Sequence, residues 1–274
     1  MPQTRPLSQT LKNYGRSVVG GLLFATASLY TMEIWWQGYT LPPHVVLTTF
    51  LSTLVILTAY AYYAGIKHDE TLRENVYEAF ETLALGMLVT VVVLKLAGQL
   101  PSDMGWVETV QRVVKSSIVV SIGVAIGTTQ LGESDDEDAE TSQEKSDRSL
   151  GHRLALSALG AILVGSSVAP TEEVMMIGVQ SPPWGPLATT LLTLLVAVGV
   201  VSYTAFKGSA RSTRFAGGAV GDAAVTYAVS VLVAAALLWS SGHFAGLGAL
   251  ARLDLVVFLA FPCTLGAAAG RLLL

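Results

Sequence analysis

"TMEIWWQGYTLPPHVVLTTFLSTL" (31–54) and "TEEVMMIGVQSPPWGPLATTLLTL" (171–194) are the two stretches whose reading decides the fold. Laid over each other without a gap, they bring Glu33 onto Glu173, Gly38 onto Gly178, Pro42 and Pro43 onto Pro182 and Pro183, and Leu51 onto Leu191, each 140 positions apart. Lys67 then falls on Lys207. With small shifts, Glu81 meets Asp222 at an offset of 141 and "GVAIG" (123–127) meets "GAAAG" (266–270) at 143. An ordered series of matches of this kind argues for two copies of one unit.

Each copy is dominated by apolar runs. Of the 274 residues 52% are hydrophobic and only 13% charged, with a mean hydropathy of +0.57, against roughly 25% charged residues in an ordinary soluble domain. Residues 17–66 carry one charge, Glu33, and 154–206 carry only Glu172 and Glu173. Each of those runs has room for two spans of about 20 residues. The net charge of −4 comes largely from "ESDDEDAETSQEKSD" (133–147), which has too little apolar surface to fold alone and reads as an acidic linker. Lys12 and Arg16 before an apolar stretch imitate a signal peptide, but the run continues to Trp36 and recurs in mid-chain, so cleavage is not expected. A single cysteine, Cys263, excludes an internal disulfide and reads as a small apolar filler.

The apolar segments fall at 17–37, 44–66, 76–98 and 107–130, then at 154–179, 186–206, 215–240 and 252–273, with turn chemistry between them. The expectation is an all-α polytopic membrane protein of eight transmembrane helices. It would consist of a cytoplasmic segment (1–16), a membrane repeat (17–130), an acidic cytoplasmic loop (131–153) and a second repeat (154–274). An even span count places both repeats in the same orientation, related by an axis along the membrane normal. With both termini inside, twelve of the sixteen basic residues lie on the cytoplasmic side, leaving Lys95, Arg112, Lys115 and Arg252 on the outer half. The five tryptophans, Trp35, Trp36, Trp106, Trp184 and Trp239, fall at outer ends, where indoles act as interfacial anchors.

Carboxylates in spans cost about 2.5–3.5 kcal/mol at the helix centre and normally face a bundle interior or a wet cavity. Glu33 and Glu173 are placed about one turn from the outer ends of spans 1 and 5, and Glu81 and Asp222 near the inner ends of spans 3 and 7. Packed about a twofold axis, the four would form an outer and an inner acidic pair, as in a cation route. Glu172 has Met32 as its counterpart and is the weaker candidate. The competing reading has the glutamates snorkelling to water and Glu81 belonging to a solvated helix start.

Pro170 lacks an N–H, and "PTEE" suits the first turn of a helix, so span 5 is expected to break just before Glu173. Such a break frees carbonyls around Gly165 to Ser167, beside the hydroxyls of Ser166, Ser167 and Thr171. Together with the glutamates these form a hard oxygen set suited to Ca²⁺, Mg²⁺ or Na⁺, or to a proton. The first copy has Tyr30 where the second has Pro170, so the two halves are not chemically equal. Lys95, Arg112 and Lys115 read as partners of Glu33 and Glu108 or as contacts for lipid phosphate. "GVAIG" and "GAAAG" are small-xxx-small faces for helix packing, within the chain or in a homo-oligomer.

No glycine-rich nucleotide loop and no HExxH motif occur, and the four histidines lack ligand spacing, so an enzyme is not expected. Without a basic patch, neither is nucleic-acid binding. The "EIWW" element at 33–36, with "APTEE" at 169–173, resembles an uncharacterised family of bacterial integral membrane proteins. That resemblance implies a bacterial inner-membrane location and supplies no activity. From the residues, the expected function is cation translocation by a channel or proton-coupled exchanger. The alternative is a non-transporting scaffold or sensor with structural carboxylates and a partner-binding acidic loop.

Overall fold

A computed structural model of the chain describes residues 7–64, 71–130, 150–206 and 218–273, all helical apart from turns. The chain divides into two compact units, Met1–Ser142 and Gln143–Leu274. Unit 1 contains α1 (Leu7–Leu29), α2 (Met32–Thr40), α3 (Pro43–Ala64), α4 (Leu72–Leu96) and α5 (Trp106–Gln130). Unit 2 contains α6 (Leu150–Val168), α7 (Glu172–Gln180), α8 (Gly185–Phe206), α9 (Gly218–Ser240) and α10 (Ala249–Leu273). The acidic loop and Lys67, Lys145, Arg148, Lys207, Arg211 and Arg214 lie outside the described residues.

The chain is an all-helical membrane protein. Among the described residues α3, α4, α5, α6, α9 and α10 are long and apolar enough to cross a bilayer, which gives six spans. Counting α7 and α8, bent by 117° at their junction, as one broken span gives seven. The runs at 17–37 and 154–179 are each cut in two, because a nine-residue helix, α2 or α7, follows a break. The cut leaves 17–29 as the apolar part of α1, which at 1.5 Å per residue is about 20 Å, short of the roughly 30 Å bilayer core.

The last helix of each unit forms its centre. In unit 1, α5 packs against α1, α2, α3 and α4; in unit 2, α10 packs against α6, α7, α8 and α9. Glycine permits the closest of these approaches. A Cβ on Gly20 of α1 would lie 2.4 Å from the Gly127 Cα, and one on Gly160 of α6 would lie 2.1 Å from the Gly266 carbonyl oxygen. The small-xxx-small faces on α5 and α10 are therefore covered by α1 and α6 of their own units, which removes them as faces for a second subunit. The contacts of Gly20 with Gly127 and Gly21 with Val120, and of Gly160 with Gly270 and Gly165 with Cys263, show that each pair runs antiparallel. Gly38 and Gly178 play a second matched role: a Cβ there would meet the Arg112 Cα at 2.6 Å and Leu255 Cδ2 at 2.4 Å.

α4 and α9 end alike. Gly98 (φ 72°) and Gly242 (φ 81°) take the left-handed conformation. Gln99 N–H then reaches the Leu94 carbonyl at 2.8 Å and His243 N–H the Leu238 carbonyl at 3.1 Å, closing Schellman turns. At its other end α4 is held by a capping box: Thr71 N–H donates to Glu74 Oε2 at 2.7 Å and Glu74 N–H to Thr71 Oγ1 at 3.4 Å.

Candidate functional site

Both units break at the same point. Thr31 (φ −90°, ψ 115°) and Thr171 (φ −80°, ψ 151°) are the extended residues that precede α2 and α7. Thr31 N–H donates to the Ser28 carbonyl at 3.2 Å and Thr171 N–H to the Val168 carbonyl at 3.1 Å, the same tight turn in each. The expected break at Pro170 is present, and unit 1 also breaks, with Tyr30 in that place. There the indole N–H of Trp35 donates to the Leu29 carbonyl at 2.8 Å, supplying a donor that the interrupted helix no longer provides. Trp35 is accordingly half-buried against Leu94, Leu100 and Val113 and is no surface anchor. The other four tryptophans are exposed.

Glu33 and Glu173 therefore lie in the first turns of short helices and not near the ends of long spans. A carboxylate there meets the positive end of the helix dipole, worth about 0.3–1 kcal/mol. Glu33 is half-buried, whereas Glu172 and Glu173 are exposed. Among the described residues, the side chains of these three make no hydrogen bond or ion pair.

The hydroxyls proposed as ligands are engaged as donors. Ser166 Oγ donates to the Leu163 carbonyl at 3.3 Å, Ser167 Oγ to Val164 at 2.7 Å and Thr171 Oγ1 to Val168 at 2.9 Å. Their lone pairs remain acceptors. Gly165 keeps an ordinary helical bond, its carbonyl accepting from Ala169 N–H at 2.7 Å. The carbonyls without a helical donor are those of Ser166, whose partner would be the N–H that Pro170 lacks, and Ser167, whose partner Thr171 turns to Val168.

The inner pair is not assembled as the sequence comparison suggested. Glu81 is exposed and accepts a hydrogen bond from the Tyr14 hydroxyl. Asp222 is 1% exposed, and its Oδ1 meets Arg271 Nη2 at 2.8 Å, while Arg271 Nη1 donates to Thr226 Oγ1 at 2.9 Å. The offset of 141 is the source of the mismatch. Gly98 with Gly242, Leu94 with Leu238 and the buried Ala79 with Ala223 all align at 144. That register pairs Asp222 with Glu78 and Thr226 with Thr82, which the ungapped match of "EAFET" (78–82) with "DAAVT" (222–226) could have revealed. Glu78 and Thr82 line a small cavity with Tyr60 and Ala125.

The basic residues are used within unit 1. Lys95 Nζ donates to the Leu100 carbonyl at 2.9 Å. Arg112 donates to the Gln99 carbonyl at 2.7 Å and pairs with Glu108 at 2.9 Å. Its pairing with Glu108 was expected; a pairing with Glu33 does not form. Lys115 is buried on α5. No group of three or more His, Cys, Asp or Glu side chains placed to hold a metal ion occurs among the described residues.

Over residues 13–274 the chain matches the model of the family described as "Putative integral membrane protein (DUF2391)", and it belongs to that family. No curated protein and no solved structure matches it.

Proposed function

We propose that this integral membrane protein passes or exchanges a small cation, with the α6–α7 break of unit 2 as its principal ion-handling element. One observation carries the reading: Glu172 and Glu173 stand without protein partners among the described residues next to a break that leaves the Ser166 and Ser167 carbonyls without helical donors. Oxygen ligands of this kind suit a hard cation. Lacking a cluster of three acidic side chains, the break fits Na⁺ or a proton better than a Ca²⁺ cage. Glu33 at the unit 1 break takes the same role less strongly. Asp222 leaves the transport reading, since Arg271 already neutralises it.

The topology belongs to the same proposal: eight crossings, both termini cytoplasmic, in a bacterial inner membrane. The antiparallel course of α1 along α5 and of α6 along α10 supports an even number of crossings per unit. The 23 residues of α1 give about 35 Å of helix, enough to cross with its basic end in the interface. The scaffold reading is favoured by a different observation, the buried Asp222–Arg271 pair, which holds α9 to α10 and leaves that carboxylate nothing to transport.

Flux of Na⁺ and H⁺ into vesicles holding the purified protein separates the two. Transport that falls at low pH, and falls further in Glu173→Gln than in Glu172→Gln, is the expected result. Absent flux at every pH would leave the scaffold reading, and full flux in the Glu172→Gln, Glu173→Gln double variant would remove these two glutamates from the mechanism.

A further inference from the structure

The interior of unit 1 beside its helix break contains four polar atoms with less than a tenth of their residues exposed and no hydrogen-bond partner among the described residues: Ser28 Oγ, Gln37 Oε1, Arg112 Nε and Ser116 Oγ. They share one side of α5. Arg112 and Ser116 are one turn apart on it, and the Arg112 backbone is where Gly38, next to Gln37, makes its close approach. The antiparallel register that seats Phe24 against Gly123 brings Ser28, one turn further along α1, to the level of residue 119, one turn from Ser116. From 112 to 119 α5 rises about 10 Å, too far for one bridging molecule.

Their chemistry selects the guest. Arg112 Nε can only donate, Gln37 Oε1 can only accept, and the two hydroxyls do both. A metal cation cannot serve the guanidinium N–H, and an anion cannot serve the amide oxygen. Water serves all four, and buried waters typically make about three such bonds. We propose that a short chain of ordered water molecules is bound between α1, α2 and α5 at the unit 1 break. It satisfies these four groups and solvates the one place where the helix has come apart. The proposal is independent of ion transport, since a scaffold would need the same waters.

Microsecond hydroxyl-radical labelling tests it, because bound water generates radicals in place. Leu29, at 2% exposure beside the break, should be oxidised at least tenfold faster than Leu255 and Leu259 of α10, which are equally buried at 2% and 1%. Equal rates at the three leucines would overturn the proposal. The triple variant Ser28→Ala, Gln37→Leu, Ser116→Ala gives a second reading. With waters bound, its melting midpoint drops and Leu29 labelling falls to the rate of Leu255. Were the four atoms dry, the same changes would remove uncompensated polar groups and raise the midpoint, which would overturn the proposal from the opposite side.

Discussion

The two units share a helix order and differ in the lining of their central helices. At Arg112, Lys115, Ser116, Ser117 and Ser121, α5 buries charge and hydroxyl, whereas 143 positions on α10 has Leu255, Phe258, Leu259, Ala260 and Thr264. Yet both units share the break before a nine-residue helix, the glycine against the central helix and the small-residue crossing with their first helix. Shape here is held by backbone contact, which glycines control, and it tolerates a polar or an apolar lining. Behind the unit 1 break α5 buries Arg112 and Lys115, where α10 has Leu255 and Phe258, which is why the ion-handling proposal favours Glu173 over Glu33.

If glycine contact sets the shared shape, enlarging one should cost more than any change of lining. Gly160→Val sets a side chain where a Cβ alone would be 2.1 Å from the Gly266 carbonyl oxygen. Backbone cannot yield as a flexible side chain does, so the loss should reach or exceed the upper end of the about 1–3 kcal/mol typical of overpacking. Gly20→Val should do the same in unit 1. Reversible unfolding in mixed detergent micelles measures both. A loss under about 1 kcal/mol at either position would break the equivalence.

The lining difference predicts a second effect of comparable size, confined to unit 2. Asp222→Asn leaves the Arg271 guanidinium buried without its counter-charge, and losing one partner of a buried pair costs about 3–5 kcal/mol. Asp222→Leu with Arg271→Met should recover most of that, since an apolar pair of similar volume is often neutral. A double variant as unstable as the single one would mean that the pair does more than join α9 to α10.

Membrane class was legible in the sequence because it depends on apolar run length, a one-dimensional signal. The breaks were half legible. Pro170 announces one, but nothing in "SLYTME" announces the other, where the indole N–H of Trp35 reaches back to the Leu29 carbonyl. Asp222 was matched to Glu81, whereas the register of 144 pairs it with Glu78, three residues earlier, which is half-buried where Glu81 is exposed. Arg271 drew no attention as a chain-terminal basic residue. Only the packing of α10 on α9 makes it the partner of Asp222.

A smaller effect sharpens the comparison at the breaks themselves. Trp35→Phe keeps the ring against Leu94 and Val113 and removes one donor from the Leu29 carbonyl. A hydrogen bond lost in this way should cost about 1 kcal/mol, rising towards 3 if the carbonyl is left dry. Met175→Phe, at the matching place in unit 2, removes no donor and should cost less. Equal losses would show that ring packing, and not the indole N–H, maintains the unit 1 break.

The smallest effect is expected at Pro170. Proline inside a helix costs about 3 kcal/mol, which makes it the obvious agent of the unit 2 break. Unit 1, however, makes the same turn with Tyr30, and in both units the threonine N–H has already been drawn to the carbonyl three residues before it. In Pro170→Ala the new N–H can reach the Ser166 carbonyl, but the turn at Val168 and Thr171 stays available and the gain should be under about 1 kcal/mol. Spin labels at Val164 and Val179 read the outcome, because an unbroken helix would hold their backbones about 22 Å apart. The interlabel distance should be unchanged between the parent and Pro170→Ala. A shift to the straight-helix distance would make proline the cause of the unit 2 break, and the two units would then have reached one shape by unrelated means.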